Sequence, residues 1–229
     1  ESDFGYNFLP GTHENGSEAV FSIQYSDNDG TLFGRLNYGD VLSLPQGLGC
    51  CDFHKPSQNL VNAFKTNAQG LPMFDTYNDE DLDYKQLNNY KVDPRLYHTV
   101  AMPGLPWKYE KDKIYQESWV RSPGTYGYYA SLKENVPVGC GCTVNIDPFY
   151  GNSKNRIIIR YSDVLLMKAE ALIELGQVNE ALPLINQVRE RAANSTVLTG
   201  SYTSNNFISK YEPGVNCTWT QDFARKALR

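Results

Sequence analysis

The stretch that decides the fold is NRIIIRYSDVLLMKAEALIELGQVNEALPLINQVRERA, residues 155–192. Its first half predicts an amphipathic helix, because Leu165, Ala169 and Leu172 fall on one face at the 3.6-residue period of a helix. Ser162 is placed to cap this helix, and Gly176 is placed to end it in a tight turn. The opposite face is acidic and carries Asp163, Glu170 and Glu174.

The second half of this stretch predicts another helix of about four turns, since its apolar residues recur at three- and four-residue steps. They are Val178, Ala181, Ile185, Val188 and Ala192. Two antiparallel helices with facing apolar stripes are expected to pack as a hairpin. The pattern A-x-A-L-x-x-L-G followed by E-A-L resembles a tetratricopeptide repeat, which leaves an outer face uncovered when it stands alone.

Four sequence blocks, in order, resemble the SusD/RagB family of outer-membrane nutrient-binding lipoproteins. The first three are GSEAVFSIQY at 16–25, PSQNLVNAF at 56–64 and DPRL at 93–96. The fourth is IRYSDVLLMKAEAL, which begins at 159 and is closed by INQVRERA at 185–192. Segments 27–55 and 105–154 carry no family pattern that aligns.

The resemblance implies a fold that is mainly α, with irregular loops and a few short strands, built on the tetratricopeptide-like hairpin. It implies one SusD/RagB-like domain over residues 1–229. Within it, residues 1–154 would form a loop-rich ligand-binding region and residues 155–229 a helical scaffold.

The two ends of the chain suggest that it is a fragment of a longer protein. Thr218 and Gln221 are spaced as a capping box, and the helix they begin reaches Arg229 without a C-cap. Family members continue beyond a comparable point and place several helical repeats before the segment that begins here at Glu1. We therefore expect an internal to C-terminal fragment whose N-terminal repeats are missing. The alternative is a naturally shorter relative that covers the hairpin differently.

Composition excludes several functional classes. The chain has 229 residues and a net charge of −5, and its Lys and Arg residues form no basic stripe, which argues against nucleic acid as a partner. The mean hydropathy is −0.49, and the sequence contains no apolar run long enough for a transmembrane helix. The first residues show neither a signal peptide nor a lipidation cysteine. Membrane contact is expected only through a lipid anchor outside this chain.

The segment from Pro103 to Asn155 is the first candidate ligand site, because it has few periodic runs and is too long for a plain connection. The C–H faces of a sugar stack on aromatic rings, while its hydroxyls need polar partners such as Arg121. Each ring has an alternative role as internal packing in an irregular segment. The aromatic residues concerned are Trp107, Tyr109, Tyr115, Trp119, Tyr126, Tyr128 and Tyr129.

The segment that begins at Pro56 predicts a short helix, which Ser57 is placed to cap and in which Leu60, Val61 and Phe64 form an apolar stripe. The second candidate ligand site is the loop before this helix. By resemblance to the family, loops that enter this helix lie on the ligand-facing side, which makes Phe53 and His54 candidate ligand-binding residues. The alternative for His54 is an ordinary surface or capping histidine.

The five cysteines indicate a compartment where disulfides persist. Cys50 and Cys51 are adjacent, and Cys140 and Cys142 are one residue apart, so one or two bridges between these pairs are expected to clamp the two candidate loops together. A zinc site is the alternative, although these spacings are shorter than zinc pairs use. Cys217 is left over. No metal or other cofactor is expected.

Catalytic patterns are weak. The acidic run from Asp75 to Asp83 lacks the glycine and closing Glu of a calcium loop and favours a solvated loop over a glycosidase pair. None of His13, His54 and His98 lies in a nucleophile-elbow context. The chain is therefore predicted not to be an enzyme.

The resemblance implies a protein of the bacterial outer-membrane surface, anchored by a lipid in its full-length form. It would bind an oligosaccharide or polysaccharide nutrient and deliver it to a TonB-dependent, SusC-like transporter. Three alternatives stay open. They are a peptide-binding member of the same family, a tetratricopeptide-type scaffold for protein interaction, and a glycan-cleaving enzyme, which would need two carboxylates at a fixed separation.

Overall fold

The structure is a computed structural model that describes residues 1–32, 34–146, 149–200 and 205–228. Helix is the main regular structure, accompanied by short strands and irregular loops, as the sequence predicted. The α-helices are α1 (Gln58–Asn62), α2 (Leu96–Thr99), α3 (Pro123–Tyr126), α4 (Tyr161–Glu174), α5 (Val178–Ala193) and α6 (Gln221–Leu228). The strands are β1 (Ala19–Ile23), β2 (Val100–Ala101), β3 (Pro106–Trp107), β4 (Glu110–Ile114), β5 (Ala130–Ser131), β6 (Thr143–Ile146), β7 (Phe149–Asn152) and β8 (Arg156–Arg160).

Helices α4 and α5 form the predicted antiparallel hairpin, and α4 ends at the predicted turn, where Gly176 has a φ of +76°. The predicted cap was wrong. Arg160 is the N-cap, and its backbone N–H donates to the Asp163 carboxylate at 2.8 Å. Ser162 lies inside the first turn and is buried. The side chain of Arg160 also reaches Asp163, so the pair takes over the capping role.

The core of the hairpin follows the predicted stripes with one shift. Leu165 and Ala169 are buried as expected, but the next buried residue of α4 is Ile173, and Leu172 is only partly buried. The buried face of α5 contains Ala181, Ile185, Val188 and Ala192. The outer face of α4 exposes Tyr161, Val164 and Met167.

Helix α6 covers one end of the hairpin. Phe223, Ala224, Ala227 and Leu228 pack in the same hydrophobic cluster as Ile173 and Ile185. Its cap is Thr220, whose hydroxyl accepts from the Phe223 N–H at 3.2 Å, and not Thr218 as the capping box predicted. Arg229, where the helix was expected to stop, lies outside the described residues.

Residues 156–160, at the start of the stretch 155–192, form the strand β8 and are not part of the hairpin. β8 pairs antiparallel with β1. Ile157, Ile158 and Ile159 are β-branched, which suits this pairing. The first residue of α4, Tyr161, therefore lies six residues after Asn155, where the predicted helical scaffold begins.

The alternation of Phe21, Ile23 and Tyr25 with Ser22 and Gln24 predicts a half-buried strand at the position of β1. The strand is confirmed, but Phe21 is 56% exposed and Ile23 is 42% exposed, so the predicted buried face was wrong.

The loop-rich part of the chain is organised around two hydrophobic clusters that share one small sheet. β2 pairs with β5, and successive side chains of a strand point to opposite faces. Val100 and Met102 accordingly enter one cluster with Leu96 and Tyr129, while Ala101 enters the other. The second cluster contains Leu44, Trp107, Tyr115, Val120, Ala130 and Leu132.

The short helix before this sheet begins as the sequence predicted. The Ser57 hydroxyl accepts from the Leu60 N–H at 3.2 Å and caps α1. Val61 is fully buried, whereas Leu60, predicted to share its apolar stripe, is 42% exposed. α1 is thus anchored mainly through Val61.

Glu18, just before β1, ties the N-terminal segment to the hairpin. Its carboxylate is 5% exposed and accepts from Asn7 at 3.0 Å and from Arg191 of α5. Burial raises the pKa of this carboxyl, but the hydrogen bond and charge of Arg191, together with Asn7, outweigh burial and bring the pKa from 4.5 to about 2. The ion pair therefore stabilises the folded chain over a wide pH range.

In the described residues, no helix is both long enough and apolar enough to cross a membrane.

Replacing Ile173 by Ala tests the packing of the hairpin. Ile173 is fully buried between the helices, so Ile173→Ala is expected to lower the free energy of unfolding by about 2–5 kcal/mol. Met167→Ala on the exposed face of the same helix is the matched control, with an expected change within about 0.5 kcal/mol. Urea denaturation measures both. Equal losses in the two variants would contradict the assignment of the buried face.

Glu18→Gln tests the tie between β1 and α5. Because the folded-state pKa is lowered, the stabilisation by Glu18 is fully present above about pH 4.5 and is lost as the pH falls toward 2. The full pKa shift corresponds to about 3 kcal/mol at neutral pH, and the stabilisation is expected to be smaller because solvent screens part of the ion pair. The variant should be less stable at pH 7 and should lose less stability between about pH 5 and 2 than the parent. Parallel stability curves for the two proteins in that range would refute the assignment.

Candidate functional site

The aromatic residues predicted to bind a ligand separate into buried and exposed groups. Trp107 is fully buried in the second hydrophobic cluster, and its Nε1–H donates to the Val136 carbonyl at 3.1 Å. The prediction that Trp107 stacks on a ligand is therefore wrong, because neither face of its ring reaches solvent. Tyr115 and Tyr129 are also core residues, at 1% and 6% exposure.

Tyr109 is half-buried, and its hydroxyl lies 2.8 Å from Nδ1 of His98. The other nitrogen of His98 lies 2.8 Å from the Ser195 carbonyl, just after α5. Tyr109 therefore connects the loop-rich region to the end of the hairpin, and its hydroxyl points inward. The predicted role of Tyr109 as a ligand contact finds no support in this geometry.

The exposed rings border a cleft of about 490 Å³, here called the aromatic cleft. Tyr126, at the end of α3, is 58% exposed, and Tyr128 is half-buried. Gly127 separates them with a φ of +73°, which turns the chain sharply and lets both rings line the cleft. The lining residues are Pro56, Gln58, Asp81, Leu82, Asp83, Tyr84, Thr125, Tyr126, Gly127, Tyr128 and Tyr129.

Tyr84 is a ring of the aromatic cleft that the sequence analysis missed. Its ring centroid lies 5.7 Å from that of Tyr128 and 6.1 Å from that of Tyr129. Its hydroxyl donates to the Glu117 carboxylate at 2.6 Å, and Lys85 contacts the same carboxylate at 3.1 Å. Tyr84 lies just after the acidic run and outside the aromatic segment. The local density of aromatic residues therefore did not indicate Tyr84 as a candidate ligand contact.

The electrostatics at Tyr84 keep its phenol protonated. Burial, and then the hydrogen bond to Glu117, raise its pKa to about 12. The Lys85 ammonium lies 5.4 Å from the Tyr84 ring centre and 5.9 Å from that of Tyr128, a cation–π arrangement that fixes both rings. A hydrogen bond, an ion pair and cation–π contacts therefore connect Tyr84, Lys85, Glu117 and Tyr128 on this side of the aromatic cleft.

The floor of the aromatic cleft is held by hydrogen bonds to α1. The Tyr129 hydroxyl donates to the Leu82 carbonyl at 2.9 Å, and Gln58 donates to the same carbonyl at 3.1 Å. Asp83 caps the turn that carries Tyr84 by accepting from the Lys85 N–H at 2.9 Å. Polar atoms of Asp81, Asp83 and Gln58 therefore lie among the rings.

In the second candidate loop, the ring of Phe53 contacts the side chain of Arg121, which belongs to the segment from Pro103 to Asn155. Phe53 is 57% exposed, and the Arg121 guanidinium lies 4.5 Å from its ring centre. Asp52 holds this arrangement, since its carboxylate accepts from the Arg121 backbone N–H and from Lys55, both at 2.7 Å. His54 is exposed. Phe53 is three residues from Pro56, which lines the aromatic cleft.

Trp119 is half-buried and lies two residues before Arg121 in the chain. Its ring packs against Gly47, where a side chain would clash with the Trp119 ring, and it meets the Tyr115 ring edge-on at 5.8 Å between ring centres. Part of its surface remains accessible. Trp119 supports the loop that carries Arg121, and Glu117 of the same turn contacts Tyr84.

The cysteines pair differently from the prediction. All four candidate cysteines form disulfides, but Cys50 bonds to Cys51 and Cys140 bonds to Cys142. The expected bridges between the two loops are therefore wrong. Each disulfide constrains its own turn and does not clamp the loops together, while Cys217 is a free thiol.

A family model described as the SusD family matches residues 17–229. The chain belongs to the SusD family. A SusD-like protein of Formosa agariphila is 44% identical over an alignment of 73 residues, and the match covers 29% of this chain and 14% of that protein. This match covers a small part of that relative.

Solved structures agree on the fold. A SusD superfamily protein from Bacteroides vulgatus superposes with a TM-score of 0.57 at 21% identity, covering 100% of this chain and 39% of that one. A SusD-like carbohydrate binding protein from Bacteroides fragilis gives a TM-score of 0.59 at 19% identity, covering 99% and 41%. This SusD-family chain thus spans about two-fifths of the length of those proteins.

The described residues include no group of three or more His, Cys, Asp or Glu side chains arranged to hold a metal ion. The residues of the acidic run instead make separate contacts with different parts of the chain. Asp75 pairs with Lys226 of α6 at 3.0 Å, and Asp81 accepts from Asn62 of α1 at 2.9 Å.

Peptide mapping tests the disulfide pattern. Trypsin cuts after Arg35, Lys65, Lys133 and Lys154 but not between Lys55 and Pro56, so Cys50–Cys51 and Cys140–Cys142 fall in separate peptides, 36–65 and 134–154. Without reduction, each peptide should appear alone and lighter by one pair of hydrogens, and Cys217 should be alkylated. A single species containing both peptides would show bridges between the loops and refute the structure at these positions.

Proposed function

We propose that this chain binds an oligosaccharide in the aromatic cleft. The observation that carries the proposal is the set of accessible rings, Tyr84, Tyr126 and Tyr128, lining one cleft together with carboxylate and amide groups. The C–H faces of a pyranose are apolar and stack on such rings, while the rim groups bond its hydroxyls. Membership of a family of binding proteins supports a mechanism without a covalent step.

The fixed geometry of the aromatic cleft supports the same proposal. A binding surface that is already ordered loses less side-chain entropy when the ligand arrives. Lys85 and Glu117 hold Tyr84, and Gly127 sets the angle between Tyr126 and Tyr128. Phe53, Arg121 and Trp119 would extend the contact surface for a longer chain of sugars.

The wider role follows from the family. SusD-family proteins are in general proteins of the outer-membrane cell surface. We propose that the whole protein is held there by a lipid anchor and passes its glycan to a TonB-dependent, SusC-like transporter. The carbohydrate binding stated for the structural relative from Bacteroides fragilis supports a glycan as the ligand class.

Alanine substitution of the exposed rings tests the aromatic cleft. One stacking ring contributes about 1 kcal/mol, so Tyr126→Ala and Tyr128→Ala should each weaken glycan binding about 5- to 10-fold. Tyr161→Ala is the matched control, since Tyr161 is 50% exposed on α4 and does not line the aromatic cleft. Isothermal titration with a glycan selected from an array gives the three affinities.

Unchanged affinity in both cleft variants would exclude the aromatic cleft as the site. Selection of peptides and not glycans by the unmodified chain would favour the peptide-binding alternative within the family.

A further inference from the structure

The aromatic cleft has a one-sided charge. Its lining contains two carboxylates, Asp81 and Asp83, and none of its described lining residues is Lys, Arg or His. The Asp81 carboxylate accepts from the Asn62 amide at 2.9 Å. The Asp83 carboxylate accepts from the Lys85 backbone N–H at 2.9 Å and from the Gln86 amide at 3.2 Å. All three donors are neutral, and within the described ranges neither carboxylate forms an ion pair, so both present their negative charge to the cleft.

The cations around the aromatic cleft are engaged elsewhere. The Lys85 ammonium lies 3.1 Å from the Glu117 carboxylate, whose charge balances its own. Lys65 is 4% exposed, and its ammonium donates to the Glu80 carbonyl. Arg121 donates to a loop carbonyl and lies over a ring of the second candidate loop. In the described residues, none of these three cations lines the cleft or pairs with its carboxylates.

The negative field reaches the floor of the aromatic cleft. Burial raises the pKa of the Tyr129 phenol, and the charges of Asp83 and Asp81 add to that effect. The resulting pKa is about 12, although a hydrogen bond with Gln58 lowers it. A negative charge on this phenol is therefore opposed by both carboxylates. The carboxylate of a sugar acid bound in the same cleft would meet the same repulsion.

The rings of the aromatic cleft favour a positive charge. The face of a tyrosine ring is electron-rich and attracts an ammonium group placed above it. Lys85 shows this in the structure, since its ammonium lies 5.4 Å from the ring centre of Tyr84 and 5.9 Å from that of Tyr128. Tyr126, which is 58% exposed, offers a further ring to a ligand. Rings and carboxylates thus act in the same direction, toward a cationic or neutral ligand and against an anionic one.

We propose that the aromatic cleft selects glycans by charge, taking those with free amino groups or no charge and rejecting those with uronate or sulfate groups. An amino sugar stacked on Tyr126 would place its ammonium near Asp81 or Asp83, and each carboxylate has more acceptor sites than the donors it already meets. The inference rests on the proposed glycan binding in the aromatic cleft and adds the charge class of the ligand.

A glycan array that holds each backbone in neutral, 2-amino and uronate form tests the charge class with the unmodified chain. The strongest signals should come from neutral or amino forms. Strongest binding of uronate forms would overturn the charge selection and leave glycan binding in place. An array without any bound glycan would overturn both proposals.

Titration calorimetry then compares the three forms of the backbone that gives the strongest signal. The uronate form should bind about fivefold or more weakly than the neutral form, and the amino form at least as tightly as the neutral form. Because the effect is one of charge, added sodium chloride should narrow these differences. Equal affinities for the neutral and uronate forms at low salt would overturn the inference.

Asp81→Asn combined with Asp83→Asn locates the effect. An amide side chain keeps an acceptor oxygen but carries no charge, so the uronate penalty should fall severalfold. A merely structural role of the two residues would weaken all three forms alike and leave their ratios unchanged. Asp112→Asn removes the same charge from an exposed position on β4 and should keep the penalty of the parent.

Circular dichroism confirms the fold of each variant. The ratios measured with the unmodified chain decide the charge class even if the double variant does not fold. A folded double variant that keeps the full uronate penalty would overturn the assignment to these two carboxylates.

Discussion

The guanidinium of Arg189 is the contact on which the arrangement of hairpin and loops depends. It projects from α5, donates to the Ser209 carbonyl at 2.7 Å and to the Gly70 carbonyl at 3.0 Å, and lies 4.3 Å from the ring centre of Tyr211. Arg189 is 6% exposed, so its charge is tolerated only because these acceptors and the ring replace water. One side chain thereby joins α5 to two loop segments that are far apart in sequence.

Side-chain donors and acceptors also satisfy loop backbone elsewhere in the described residues. The strands are short, so loop carbonyls that find no backbone N–H accept from side chains. Asn205 donates to the Leu87 and Tyr90 carbonyls, Asn135 to the Ser43 and Ser131 carbonyls, and the Asn62 amide oxygen accepts from the Leu82 N–H. Buried amide side chains therefore fix the loops, and fixed loops are what the aromatic cleft requires.

Local sequence patterns correctly predicted the helices and turns that are determined by neighbouring residues in the chain. The hairpin follows from the helical period, its turn from Gly176, and α1 from the Ser57 cap. The burial of a ring is decided by distant neighbours, so sequence density could not separate Trp107, enclosed by one hydrophobic cluster, from Tyr126 on the surface. Tyr84 lies in the aromatic cleft and contacts Glu117, which is 33 residues further along the chain. No local sequence pattern predicts a contact of this kind. The cysteine pairing and the strand β8 were mispredicted for a similar reason, since each depends on the tertiary partner available.

We propose that accessible tyrosines on a loop-built surface form a glycan site. A crystal structure of the protein with a glycan selected by array screening tests it most directly. The account predicts a pyranose ring stacked on Tyr126 or Tyr128, with its hydroxyls bonded to groups at the rim of the aromatic cleft. A glycan bound on another surface, with the aromatic cleft unoccupied in the same crystal, would contradict it.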